Sequence, residues 1–350
     1  MNRAATVALT PVSLIYGIVV RARNLFYRRG IFRSQQVGVP VISIGNLTSG
    51  GTGKTPLVEW TARALASLGL RVCVLTRGYG RRSPNQRVIA SKGTELLAQV
   101  EETGDEAFLL AERLKGEAAV ICDSDRISAA RWAIENLGSD AFVLDDAFQH
   151  QKIARDLNIL AVDATNPWGN RHSLPAGILR EPIHELSRAD CVIITRADAA
   201  NCARLQPEIS RIHPSVPIFF SRMKQTQLRE LGTNSPLVNP REIKTSPVAA
   251  FCAVGNPESF FSFLRDAGYS LNYQQTFRDH HNFTQADVDQ FISAAQSFGA
   301  RALITTAKDA VKLRSLDFSI PCYVVEIDLE IDNEEYLRNL ILKTIGQNVR

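Results

Sequence analysis

From residue 39 onward the chain alternates short, unbroken apolar runs with stretches of helical spacing. The runs fall at 39–44, 71–76, 119–122, 141–144, 157–162 and 191–195, with helical spacing most evident at 57–68 and 107–115. An unbroken apolar run has no solvent-facing side, so these strands belong to a parallel sheet covered by helices on both faces. Residues 222–246 are polar, carry Asn, Pro and Gly, and show little periodicity, which predicts a linker. Alternation then resumes, with strands at 248–252, 273–277, 302–305 and 322–327 and helices at 257–267, 284–299 and 333–345. The expected divisions are an N-terminal helix (1–36), a larger α/β domain (37–225), a linker (226–246) and a smaller α/β domain (247–350). The smaller domain closes a cleft over the larger one.

The N-terminal stretch breaks this pattern. Residues 4–20 are apolar but interrupted by Pro11 and Gly17, and Arg21 and Arg23 follow at once. The basic cluster lies on the wrong side for a secretory signal, and seventeen residues of middling hydrophobicity are at the lower limit for spanning a bilayer. Two readings remain. The helix either lies in a membrane interface, with Leu14, Ile15, Ile18, Leu25, Phe26 and Tyr27 facing lipid, or packs on its own domain.

Between the first apolar run and the first helix lies the sequence GNLTSGGTGKTP, at 45–56. Glycines let backbone N–H groups turn inward around phosphate oxygens, a lysine adds a mobile positive charge, and a threonine hydroxyl can hold Mg²⁺. The helix that begins there adds the positive end of its dipole. This predicts a P-loop NTPase-like fold in which Thr48, Ser49, Gly50, Gly51, Thr52, Gly53, Lys54 and Thr55 hold a nucleoside triphosphate. Thr48 replaces the usual first glycine, and the paired Gly50-Gly51 instead resembles the GG-x-GKT subclass.

Composition narrows the class. At 350 residues, 45% hydrophobic and 22% charged, the chain has the makeup of a globular protein of about two domains. A net charge of +4 argues against a general nucleic-acid binder. That charge is unevenly placed, because no Asp or Glu precedes Glu59. The six cysteines are scattered without a C-x-x-C pair, which points to reduced thiols and not to a disulfide frame or zinc site.

Several other groups could carry chemistry. The run at 142–146 ends in Asp145-Asp146, where a nucleotide's Mg²⁺ is held near a P-loop, although paired Asp residues also mark ordinary turns. Gln149 and His150 follow on the same turn. Arg77 opens a Gly-Arg loop at a strand's C-terminal end, the edge where open sheets bind ligands. Asp105 and Glu106 begin a helix, where acidic residues are commonly dipole partners but one could accept a hydroxyl proton. The adjacent His280 and His281 point in different directions, so at most one reaches a given site. Thr195-Arg-Ala-Asp198 loosely resembles a guanine-reading loop and opens an alternative, a regulatory or metallochaperone GTPase of the GG-x-GKT type.

Taken together, eight blocks resemble the tetraacyldisaccharide 4′-kinase family. They are GNLTSGGTGKTP (45–56), TRGYGRR (76–82), GDEAFLLA (104–111), LDDAFQH (144–150), RDLNILAVDA (155–164), GNRHSLPAGILREP (169–182), FRDHHNFT (277–284) and TTAKDAVKL (305–313). The resemblance implies transfer of the ATP γ-phosphate to the 4′-hydroxyl of an acylated glucosamine disaccharide 1-phosphate, a lipid A precursor. It implies work on the anionic inner-membrane surface, at its cytoplasmic face in a Gram-negative bacterium, with no nucleic acid and no obligate protein partner. Carried over by position, Lys54 and Thr55 bind the β/γ-phosphates and Mg²⁺, and Asp145 and Asp146 form the metal-binding strand end. Asp105 is the catalytic base, paired across the cleft with His280. Arg77, Glu106, Arg126, Gln149, Arg180 and Glu181 line the site. The chain departs from the family pattern at Ala147, where Gly is expected, and at Ala307, where Glu is expected. An alanine at 147 restricts the backbone if that position needs positive φ.

Overall fold

The structure, a computed structural model, describes residues 3–198, 202–232 and 238–348. The first lobe opens with α1 (Arg3–Arg28), followed by β1 (Val41–Gly45), α2 (Lys54–Ala66), β2 (Val72–Thr76) and β3 (Val88–Lys92). Then come α3 (Val100–Thr103), α4 (Asp105–Arg113), β4 (Ala118–Cys122), α5 (Arg126–Leu137) and β5 (Ala141–Asp145). β6 (Leu157–Asp163), β7 (Cys191–Thr195) and α6 (Leu205–Ile212) complete it. β8 (Ile218–Glu230) and α7 (Pro240–Lys244) lead into the second lobe, built from β9 (Val248–Cys252), α8 (Pro257–Asp266), β10 (Leu271–Thr276) and α9 (Gln285–Ser297). β11 (Ala302–Thr306), α10 (Ala307–Leu313), β12 (Cys322–Ile331) and α11 (Glu334–Asn348) follow.

Among the described residues these strands form one sheet in the order β10-β9-β11-β12-β8-β7-β6-β1-β5-β2-β4-β3. Every residue of β1, β2, β4, β5, β6 and β7 is buried, as unbroken apolar runs require when helices cover both faces. β1 sits between β5 and β6, so the chain leaves it in both directions across the sheet. That reversal opens a crevice at the C-terminal end of β1, where the phosphate-loop sequence lies.

Two expectations about the divisions change. The segment expected to begin a linker is the second half of β8; residues 233–237 lie outside the described residues. Ile218, Phe219 and Phe220 pair parallel with β7, and residues 221–230 pair antiparallel with β12, so one strand stitches the two lobes into a continuous sheet. Its polar sequence fits a ribbon whose side chains are mostly exposed or half-buried, with Lys224–Glu330 (2.7 Å) and Arg229–Glu326 (3.1 Å) pairing across it. The last helix, α11, returns to the first lobe. Its Leu337, Ile341 and Ile345 share a core with Ile42, Leu57 and Val143, and Tyr336 packs on Phe219.

α1 has two faces. Ser13 donates to the Ser173 carbonyl (2.6 Å), Tyr16 to the Arg180 carbonyl (2.9 Å), Arg23 pairs with Glu181 (2.5 Å) and Arg28 with Glu185 (3.0 Å). On the other side Val12, Leu14, Ile15, Ile18, Val19, Leu25 and Phe26 are exposed, and Tyr27 is half-buried. No helix among the described residues is long and apolar enough to cross a membrane.

Candidate active site

The loop between β1 and α2 folds around Lys54. Its ammonium donates to Asn46 Oδ1 (3.2 Å) and Thr52 Oγ1 (3.4 Å) and lies 3.4 Å from Asp146 Oδ1. Thr55 is half-buried in the first turn of α2, and Gly50 and Gly51 are exposed. The start of the loop is already engaged, since the Ser49 amide donates to the Ile178 carbonyl (2.7 Å) and Thr48 bridges to Leu179. Thr48 and Ser49 are therefore the fixed base of the loop, from which 50–55 projects. From behind, the Thr195 hydroxyl donates to the Thr52 carbonyl (2.8 Å) and Arg196 to the Gly51 carbonyl (3.0 Å). Arg196 also pairs with Asp163, so the Thr195–Asp198 loop braces the phosphate loop.

β5 delivers the two carboxylates beside this loop. Asp145 is buried and accepts from the Thr76 hydroxyl (2.8 Å). Burial, then the nearby Glu106 and Asp146 carboxylates, push its pKa up to about 6. Asp146 responds in the opposite direction: burial would raise it, but Lys54 and Arg180, the latter at 2.7 Å, outweigh that and lower it. A carboxyl raised this far above its ordinary value is short of positive charge. Among the described residues no three His, Cys, Asp or Glu side chains are placed to hold a metal by themselves. The raised Asp145 carboxyl beside the lysine loop fits a cation held jointly by protein oxygens and phosphates, the usual manner of Mg²⁺ on a nucleotide.

The third part comes from α4. Gly104 turns at φ +83, pressed against the Tyr79 carbonyl of the neighbouring loop, and this places Asp105 at the first helical position. Only a residue without a Cβ fits so close an approach in that conformation. From the second lobe, His280 brings Nδ1 to 3.0 Å from both Asp105 carboxylate oxygens. Burial would raise Asp105, but the His280 hydrogen bond and the charges of Lys308 and Lys312 bring it down to about 2. The same hydrogen bond raises His280 against the opposing effect of its burial. Its neighbour turns away, with His281 Nε2 3.1 Å from Asp287 and its ring stacked on Phe277.

The structure thus brings together Lys54, Asp145, Asp146, Asp105, Glu106, Arg126, Arg180 and His280. Arg126 is buried beneath the carboxylates, donates to the Asp123 and Asp145 carbonyls, and is lowered to about 10 mainly by burial. Arg77 is exposed at the end of β2. Two expected site residues are engaged within the protein. Glu181 is fully enclosed by Arg23, Asn24 and Arg188, an anchor for α1 and not an open site position. Gln149 donates to the Asn46 carbonyl (2.9 Å) and supports the loop from below. Two residues not singled out in the sequence are Lys308 and Lys312. Their spacing of four in TTAKDAVKL, which puts both on one helix face, was the available signal.

Comparison with known proteins agrees with this geometry. The family model described as tetraacyldisaccharide-1-P 4′-kinase matches residues 5–346. The tetraacyldisaccharide 4′-kinase of Geobacter metallireducens is 40% identical over 315 residues, covering 89% of this chain and 90% of the relative. That of Desulfotalea psychrophila is 36% identical over 343 residues, 95% of each chain. A crystal structure of LpxK from Aquifex aeolicus in complex with ATP superposes with a TM-score of 0.76 at 31% identity, covering 97% of this chain and 99% of that one. Nothing of this kind supports the GTPase alternative. The chain belongs to the tetraacyldisaccharide-1-P 4′-kinase family.

Proposed function

We propose that the chain moves the γ-phosphoryl group of ATP onto the 4′-hydroxyl of a tetraacyldisaccharide 1-phosphate, with Asp105 receiving the hydroxyl proton. The new bond joins the 4′-oxygen to the γ-phosphorus, the bond from that phosphorus to the β-bridging oxygen breaks, and ADP leaves. The observation that carries this reading is the 3.0 Å contact between Asp105 of the first lobe and His280 of the second, beside Lys54 and Asp146. A loose phosphoryl-transfer transition state releases the hydroxyl proton late, so an ionised and well-oriented acceptor matters more than a strong base. That accommodates a carboxylate held as low as about 2. Lys54 and Arg180 neutralise charge on the transferring group, and the second lobe excludes water that would otherwise hydrolyse ATP. Thr55, Asp145 and Asp146 would hold Mg²⁺, which would supply further charge neutralisation on the triphosphate.

The substrate also dictates where the enzyme works. Each CH₂ drawn from lipid into water costs about 0.8 kcal/mol, so a four-chain lipid stays in its bilayer and the enzyme goes to it. The exposed apolar face of α1 serves that purpose, placing the protein peripherally on the cytoplasmic side of the inner membrane. The test is transfer of labelled γ-phosphate from ATP to the acylated disaccharide 1-phosphate. Asp105→Asn and Lys54→Ala each lower the rate, Asp105→Asn by about 10²–10⁴-fold. Full activity in Asp105→Asn removes that residue from the mechanism.

A further inference from the structure

α10 and the histidine turn hang from the same point at the end of β9. Asp309, fully buried, accepts from the Ala253 amide (3.0 Å) and from the Thr306 hydroxyl (2.7 Å), which fixes the start of α10. The Ala253 carbonyl in turn accepts from the His280 amide (3.3 Å). His280 itself is held at φ +61, a left-handed conformation that a histidine keeps only when its surroundings impose it. One face of α10 meets α4 through two lysines. Lys308 Nζ lies 3.0 Å from Glu106 and 3.1 Å from Asp279, and Lys312 Nζ lies 3.2 Å from Asp105 Oδ2. The Lys312 side chain is only 8% exposed and that of Asp105 only 4%. An ammonium is taken out of water at a cost of several kcal/mol unless a partner offsets it, and among the described residues the carboxylate nearest Lys312 is Asp105.

We propose that Lys312 is a positioning residue for the phosphoryl transfer: it holds the Asp105 carboxylate at Oδ2, so that the second lobe supplies both partners of the acceptor. This rests on the reading of Asp105 as proton acceptor. The charged groups gathered here are Asp105 and Glu106 from α4, Lys308, Asp309 and Lys312 from α10, and Asp279 and His280 from the turn. Lys312 and His280 touch the same oxygen, so their nitrogens stand within about 6 Å of each other, close enough for one charge to move the other's titration. Losing the ammonium leaves the imidazolium better stabilised, so His280 stays protonated to higher pH.

The experiment uses the full chain with Mg·ATP and tetraacyldisaccharide 1-phosphate in mixed micelles, comparing Lys312→Met, Lys312→Arg and Asp105→Asn with the parent. Lys312→Met should lower kcat about tenfold or more while the KM for ATP stays within about twofold, and Lys312→Arg should regain most of the loss. In Lys312→Met the His280 ring, followed by NMR, should titrate about half to one pH unit higher. A parent-like kcat, or an unmoved His280 titration, overturns the proposal. If Lys312→Met loses its cooperative melting transition, Lys312→Gln carries the same two measurements. Parent-like activity in Asp105→Asn overturns the acceptor reading itself, whereas a strongly impaired Asp105→Asn beside a parent-like Lys312→Met overturns only the role of Lys312.

Discussion

Three non-glycine residues around the site, Asp146, Arg196 and His280, adopt left-handed backbone conformations (φ +49, +54 and +61). Each costs of order 1–3 kcal/mol and persists because its surroundings leave no alternative, a pattern typical of working sites. The strain at the β5 turn falls on Asp146 and not on Ala147, whose backbone stays out of that region. The departure from the family's glycine is thereby accommodated, because Ala147 is fully buried and packs with Phe142 and Leu144. Ala147→Gly is expected to lose about 0.4–1 kcal/mol through added freedom of the unfolded chain and to keep kinase activity, measured by urea unfolding and turnover. Asp145 makes a sharper prediction. Burial and its acidic neighbours push its carboxyl up to about 6, and the proposed Mg²⁺ site would need the ionised form. Metal affinity should therefore fall as pH drops through about 6, and Asp145→Asn should remove most of that dependence, both read from Mg²⁺ titration by calorimetry at pH 5.5 and 7.5. The acidic tip and the lysine loop were legible because their residue types and order are set by phosphate chemistry. Lys308 and Lys312 were not, because a lysine on an amphipathic helix reads as solvated until the opposing carboxylate is placed in space.

At the scale of elements, α1 packs on its own domain, one of the two readings its sequence left open, and keeps exposed the apolar face that the interface reading would use. One stripe is spent on the protein, with Asn24 fully buried between Glu181 (3.2 Å) and Gln151 (2.8 Å), and the other is apolar and unpartnered. Hydrophobic periodicity reports apolar faces, but this helix docks through polar side chains, so its attachment left no apolar signature. Deleting residues 1–30 would strand the buried Glu181 and Glu185 without Arg23 and Arg28, and would thus mix unfolding with membrane release. Substituting the exposed stripe separates them. Leu14→Gln with Ile18→Gln, at positions 64% and 63% exposed, should lower co-sedimentation with anionic vesicles about tenfold or more and leave the melting temperature unchanged. Unaltered co-sedimentation would mean that this face does not meet lipid. β8 was misread for the converse reason: a strand whose second half lies in a solvated ribbon needs no apolar run, and its turn-like polar sequence masked a continuous ladder with β12.

On the scale of the whole molecule, the two lobes share the continuous strand β8 and the apolar core that α11 completes, and they meet again through ionic contacts at the site. Glu112 pairs with Arg314, Glu106 with Lys308 and Asp105 with His280, while Gly255 of the second lobe stands so close to Gly51 that a Cβ there would lie 3.0 Å from its amide. The contacts between the lobes at the site are therefore largely ionic, and charge gives them a pH profile with a definite sign. His280 titrates above its ordinary 6.5 because the Asp105 hydrogen bond outweighs its burial. Its share of the contact is fully present below 6.5 and is lost as pH rises through the raised value. Asp105 titrates below the usual carboxylate range, so its share is present above about pH 4 and is lost only as pH falls toward 2. Between those limits both contributions coexist; on the alkaline side the histidine's disappears first. The melting temperature of the parent should consequently exceed that of His280→Gln most at pH 5.5–6.5, with the gap narrowing toward pH 9. Strain at the left-handed position is common to both proteins and adds only a pH-independent offset, so the narrowing isolates the imidazolium. A gap constant from pH 5.5 to 9 would mean that His280 is neutral in the closed form and that the lobes are held together without its charge.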